Sequence, residues 1–74
     1  MNNINVLILG SNGYIGIELV KLLLNHSRVN IKYLCGYTSV GKKLSTFDQY
    51  FKKYKLPIIS KFNKKYLNKI DIVF

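Results

Sequence analysis

The sequence predicts an α/β protein, the truncated amino-terminal part of a doubly wound parallel sheet. Three observations carry that expectation. A short apolar run, Ile4 to Leu9, breaks into Gly10, Gly13 and Gly16, spaced three apart. An apolar pattern at helical spacing follows at once, and a second β-branched run, Val29 to Leu34, lies a few residues beyond it.

Ile4 to Leu9, bounded by asparagines and Gly10, has the length and β-branched content of a buried strand rather than a helix. From Tyr14 to about Asn25 the positions Ile15, Leu19, Leu22 and Leu23 share one helical face, while Glu18, Lys21 and Asn25 take another. His26-Ser27-Arg28 carries the turn, and Val29 to Leu34 closes a βαβ unit, whose parallel strands join by a right-handed crossover. Further on, Ser45-Thr46-Phe47-Asp48 has the spacing of a capping box, and Phe47, Tyr50, Phe51 and Tyr54 predict a short helix ending before Pro57. Leu56 to Ser60 reads as a brief strand, Asn63 to Asn68 as a helical turn or two, and Ile70 to Phe74 as another buried strand. A core strand reaching Phe74 with neither turn nor cap predicts that the coding region continues.

Composition bounds the function. At 74 residues the chain is at most one small domain, burying only roughly 60% of its unfolded surface. An apolar share of 49% is that of a core-forming protein, and no apolar run approaches the ~18 residues of a membrane span. A single cysteine allows no internal disulfide, and the amino terminus lacks the pattern of a secretory signal, so a cytoplasmic setting is expected. The net charge of +9 raises a nucleic-acid role, but the lysines of the second half are scattered between tyrosines and asparagines. That is the pattern of a solvated lysine-rich surface, and neither a nucleic acid nor a membrane is expected as partner.

The glycines carry the chemistry. After a first strand, Gly10 allows a tight turn, Gly13 lets the backbone approach a pyrophosphate with no Cβ in the way, and Gly16 lets the helix pack closely on the strand. The N–H groups around Asn12 to Ile15, at the positive end of the helix dipole, form an anion site. In this βαβ setting the pattern predicts a partial Rossmann-like, dinucleotide-binding fold. An Asp or Glu after the second strand would select NAD through the ribose 2′-OH, but the chain reads LCGYTSVGKK there. Its hydroxyls and cations, Thr38, Ser39 and Lys42 foremost, favour NADP through its 2′-phosphate. The expected cofactor-binding residues are therefore Gly10, Ser11, Asn12, Gly13, Tyr14, Ile15, Gly16, Thr38, Ser39 and Lys42.

These residues also carry a family resemblance. GSNGYIGIELVKLLLNHSRVNIKYL, followed by GKKLS, resembles the amino-terminal segment of N-acetyl-gamma-glutamyl-phosphate reductases, with their G-A-S-G-Y-x-G-x-E-L, L-L-x-H-P and later G-K. Gly10, Gly13, Tyr14, Gly16, Glu18, Leu19, His26, Gly41 and Lys42 fall on the pattern, and KIDIVF resembles the strand before the family's A-L-P-x-G. Ser27 replaces a frequent Pro, and Tyr37 an Arg that many members carry. The resemblance implies a homo-oligomeric enzyme of the semialdehyde dehydrogenase superfamily in arginine biosynthesis. Its small-molecule substrate would be N-acetyl-glutamyl phosphate, reduced by NADPH to a semialdehyde by way of a cysteine thioester. The family's nucleophile, in a segment resembling S-G-C-Y-P, and its base lie outside these 74 residues, so the catalytic domain is expected to be absent and residues 1–74 to be part of a dinucleotide-binding domain.

Cys35 has no helix N-terminus after it and no histidine beside it, so it reads as a small core residue rather than a nucleophile. His26 reads as a helix-end residue. One Cys, one His and three carboxylates have no metal-ligand spacing. The glycine turn also resembles that of extended short-chain dehydrogenases and sugar-nucleotide epimerases, which usually need an acid after the second strand. Aspartate-semialdehyde dehydrogenase is the nearest relative in mechanism, and Tyr14 favours the reductase. A non-catalytic dinucleotide-sensing module is the remaining alternative.

Overall fold

The computed structural model describes residues 3–11 and 13–74, and its core is one four-stranded parallel sheet. The strands are β1 (Ile4–Leu9), β2 (Val29–Cys35), β3 (Ile59–Ser60) and β4 (Ile72–Val73), in the spatial order β3-β2-β1-β4, and α1 (Tyr14–Leu24) is the crossover between β1 and β2. β1 pairs with β2 from Ile4 opposite Val29 to Leu9 opposite Cys35, with a bulge between Val6 and Leu7. On its other edge, Val6 and Leu7 face Ile72 and Val73 of β4. Because the chain builds outward through β2 and β3 and then returns to the far side of β1, the order reverses between β1 and β4. Such a switch point opens a crevice at the carboxyl ends of the strands.

Val6, Leu7 and Ile8 are buried in succession, as a strand covered on both faces requires. Val6 and Ile8 belong to a cluster with Val20, Ile31, Leu34, Leu44, Phe51 and Ile59, against which Ile17, Leu19, Leu23 and Leu24 of α1 pack. Alternation sends Leu7 to the opposite face, together with its register partner Tyr33, whose ring stacks on Tyr66 at 4.0 Å. Thus α1 lies on one side of the sheet and the 3₁₀ segment Lys64–Lys69 on the other, the beginning of a doubly wound fold.

Four expectations need correction. The inward face of α1 is not the one containing Ile15 and Leu22, which are 86% and 71% exposed; Gly16 and Val20 are the buried residues. Gly16, with no side chain, packs against the glycine turn at the Gly10 carbonyl and Ser11, and with that side of the helix inward Ile15 faces outward. Secondly, no α-helix follows Ser45. Two 3₁₀ turns, Leu44–Thr46 and Gln49–Lys53, stand there instead. Asp48 does not close a capping box: its carboxylate accepts from the Tyr50 amide at 2.9 Å and pairs with Lys21 of α1 at 2.9 Å, so it starts a new turn while Leu44 and Phe51 anchor the segment in the core. Thirdly, the strand expected from Leu56 is confined to Ile59–Ser60, since Pro57 has no N–H for a ladder. Lastly, β4 is an edge strand, with Ile72, Val73 and Phe74 each more than 40% exposed rather than buried.

The turn at Lys64–Lys69 falls where expected, with the Asn63 side chain accepting from the Lys65 amide at 2.9 Å. His26 ends α1: its amide donates to the Leu23 carbonyl at 3.0 Å, and its Nδ1 accepts from the Arg28 amide at 3.3 Å. No helix among the described residues is long and apolar enough to cross a membrane.

Candidate functional site

The glycine turn sits at the carboxyl end of β1 and is tied to the end of β2 by one acceptor. The Cys35 carbonyl receives the amides of Gly10 at 2.8 Å and Ser11 at 3.3 Å, with the Ser11 hydroxyl at 3.5 Å. Gly10 turns the chain with φ +66°, a left-handed conformation that strains any other residue. Gly16 then closes onto the turn. A Cβ at position 16 would overlap the Gly10 carbonyl oxygen and come within 2.9 Å of Ser11 Cα, so only glycine permits this approach of α1 to the strand. Gly13 is extended at φ −79° and has room, since a Cβ there meets nothing nearer than the Gly10 oxygen at 3.5 Å.

The amide of Gly13 donates to the Gly10 carbonyl at 3.1 Å, and that of Ile17 makes the first intrahelical bond, to the Gly13 carbonyl at 2.8 Å. The helix therefore offers the amides of Tyr14, Ile15 and Gly16, at the positive end of its dipole, to an anion. No acidic side chain stands in this first turn, and no side chain among the described residues caps it. Asn12, counted with the anion site from the sequence, lies outside the described residues. Tyr14 and Ile15 project into solvent at 94% and 86% exposure, while Ser11 is wholly buried, its hydroxyl turned toward β2 rather than toward a ligand.

The loop after β2 holds Thr38, Ser39 and Lys42. Thr38 and Lys42 are exposed, whereas Ser39 is buried. The Lys42 amide donates to the Ser39 carbonyl at 3.1 Å, and its own carbonyl accepts from Ile59 at 2.9 Å, so the loop is laced along the outer edge of β3. Lys42 is thus held two strands away from the glycine turn, on the β2 side. Leu34 and Cys35 pair with Ile59 and Ser60, and the Gly36 amide donates to the Ser60 carbonyl at 3.0 Å. These bonds bring Phe62 over the end of β2, where a cleft of about 200 Å³ is lined by Leu9, Gly10, Cys35, Gly36, Tyr37 and Phe62. Phe62 was not legible as a site residue, because the signal that places it is the β2–β3 pairing.

The three acids of the sequence all lie away from the end of β2. Asp48 pairs with Lys21, Asp71 accepts from the Asn5 amide at 2.8 Å near the amino end of β1, and Glu18 is exposed on α1. Lys21 braces α1 against the Gln49–Lys53 turn, its ammonium also 5.1 Å from the Tyr50 ring centre. The hydrogen bond to Lys21, with that from the Tyr50 amide, holds the Asp48 carboxyl below its ordinary value, and the same pair raises Lys21. Burial pushes the Cys35 thiol up, opposed in part by a hydrogen bond with Ser60. That is the environment of an inert core thiol, as expected, and not of a nucleophile. Among the described residues no cluster of His, Cys, Asp and Glu could hold a metal ion.

Comparison with known proteins agrees with this geometry. The chain is 43% identical over 72 residues to the N-acetyl-gamma-glutamyl-phosphate reductase of Ehrlichia ruminantium (strain Gardel), a match covering 96% of this chain and 21% of that protein. It is 34% identical over 71 residues to the enzyme of the same name from Acinetobacter baylyi, covering 96% and 20%. The chain thus spans about a fifth of the length of the curated relatives it matches. Its fold superposes on the crystal structure of aspartate semialdehyde dehydrogenase with NADP from Candida albicans with a TM-score of 0.76 at 23% identity, over 99% of this chain and 23% of that one. The family model described as semialdehyde dehydrogenase, NAD binding domain, matches residues 5–74. With a parallel sheet reversing beside β1 and a glycine turn that seats a helix N-terminus at its carboxyl edge, the chain belongs to the semialdehyde dehydrogenase NAD-binding domain family.

Proposed function

We propose that these 74 residues form the amino-terminal, NADP-binding part of an N-acetyl-gamma-glutamyl-phosphate reductase. In this reading the whole protein reduces an acyl phosphate, N-acetyl-glutamyl phosphate, to the semialdehyde in arginine biosynthesis. The names of the relatives support the substrate, and the Candida albicans neighbour, solved with NADP, supports the cofactor.

The observation that carries the reading is the seating of α1. Gly16 brings the helix against the Gly10 carbonyl, which aims the amides of Tyr14, Ile15 and Gly16 at the crevice beyond β1. The residues fit a dinucleotide: three first-turn amides and a dipole for the pyrophosphate, with no acid beside them. Lys42 and Thr38 receive the 2′-phosphate, and the absence of an acid at the end of β2 leaves the 2′-OH of NAD without its usual carboxylate partner. Bound NADPH supplies the hydride; this chain binds and orients it. The thiol that attacks the acyl phosphate is not Cys35, and the reading assigns it to a further segment of the whole protein. Membership of the semialdehyde dehydrogenase family sets aside the epimerase alternative.

Calorimetric titration with NADPH and NADH tests the cofactor. NADPH is expected to bind the more tightly, and heat from neither would overturn the reading. Oxidation of NADPH that depends on N-acetyl-glutamyl phosphate, measured on the whole gene product, tests the substrate.

A further inference from the structure

We infer that the flank of α1 turned toward β4 seats an amphipathic helix from a later segment of the whole protein, one that returns to the sheet after the crossover following β4. The inference rests on the proposed reading only in taking the whole protein to extend beyond these 74 residues. Ile15 and Leu22 are 86% and 71% exposed, and with Tyr14, Glu18 and Leu19 they line one open apolar hollow. Contiguous apolar exposure of this kind marks an interaction surface, whereas single exposed side chains do not. The chain carries a net charge of +9, yet no lysine borders the hollow, and Glu18 is its one charge.

The other flank of α1 is occupied. Lys21 pairs there with Asp48, and Leu44 and Phe51 anchor the two 3₁₀ turns in the cluster that contains Ile59 of β3. In the order β3-β2-β1-β4 those turns lie toward β3, so the bare flank lies toward β4. Ile72 of β4 is the register partner of Val6 and points to the α1 face as Val6 does. It is 41% exposed, although a parallel strand is covered by helices on both faces. Ile72 and the bare flank of α1 thus bound one uncovered apolar corner.

The next crossover cannot fill this corner. α1 leads the chain from β1 toward β2 on one face, while Lys64–Lys69 leads it the opposite way, from β3 back to β4, on the other. A right-handed crossover continuing outward from β4 lies on that second face too. The cover therefore comes from chain that has crossed back, and there is length for it, because these residues span about a fifth of the curated relatives. A second copy fits poorly: a two-fold contact here would set Glu18 beside its own copy and bring together two segments each of net charge +9.

Thiol labelling and cross-linking on the whole gene product test this. Leu22→Cys should react with a maleimide at least about tenfold more slowly than Lys52→Cys, an exposed reference on the Gln49–Lys53 turn, because the covering helix must first open. Peptide mass spectrometry reads the rate at each position. A diazirine cross-linker carried at position 18, on the rim of the hollow, gives a second measurement should Leu22→Cys fail to fold. It should couple within one chain to a peptide more than about 30 residues past Phe74, beyond the length of a βαβ unit. Equal labelling rates, no cross-link, a cross-link into the first crossover after Phe74, or a cross-linked dimer would each overturn the assignment. NADPH titration keeps the two readings apart. A whole gene product that binds no NADPH but shows the protection and the cross-link would overturn the proposed function and leave this cover standing, and one that ends at Phe74 would overturn both.

Discussion

Gly16 of α1 lies so close to Gly10 that a Cβ would overlap the Gly10 carbonyl oxygen, with Ser11 Cα only 2.9 Å away. The obstacles are backbone atoms, which cannot swing aside. Gly16→Ala must push α1 off the turn, an overpacking cost of about 1–3 kcal/mol. A lower urea midpoint with an unchanged m-value is expected, together with weaker NADPH binding, since the first-turn amides move with the helix. An unchanged midpoint would show that the turn yields freely.

Gly13→Val separates binding from stability. With φ at −79° and open space around the new Cβ, the fold should lose no more than about 1 kcal/mol, the scale of an N-cap replacement. Dinucleotide binding should be abolished, because the side chain fills the approach to the phosphate. Retained binding would mean that this glycine serves the turn alone.

Lys42→Ala should cost NADPH on the order of 1.5–3 kcal/mol, the worth of a hydrogen bond to a charged group, and leave NADH nearly unaffected. Titration of both cofactors measures the difference. Equal losses would make Lys42 an ordinary surface lysine whose backbone holds the loop on β3.

Stability should fall at both ends of the pH scale. The Asp48 carboxyl sits below its ordinary 3.8 because Lys21 and the Tyr50 amide bind its charged form, so its contribution is present above pH 3.8 and lost as pH falls through the depressed value. Cys35 lies above its ordinary 9.0 through burial, and Lys21 above 10.5 through Asp48; both contributions are present below those values and lost as pH rises through the raised ones. Thermal melts should show a lower Tm on either side of a plateau. In Asp48→Asn the acid limb should be shallower and less sensitive to salt, because the wild-type pair is partly exposed and therefore screened. An acid limb identical to wild type would assign that lability to other carboxylates.

The sequence by itself determined the βαβ unit, its glycine turn and the missing acid after β2. These depend on local matters: β-branched runs of strand length, helical spacing between two turns, and residue types at a fixed distance from the glycines. The same locality explains what was misread. A hydrophobic pattern marks α1 as amphipathic, but Ile15 points outward because the rotation of the helix is set by the contact of Gly16 with the Gly10 carbonyl, a relationship between two segments. Asp48 has the spacing of a capping box, yet tertiary structure gives its carboxylate to Lys21, far away in the chain, and two 3₁₀ turns replace the helix. Ser11 and Ser39 carry hydroxyls where a ligand could use them, and only packing decides that both are buried. Phe62 joins the cleft through a two-residue strand too short to announce its partner, because parallel pairing is decided by the sheet as a whole and not by the residues of one strand.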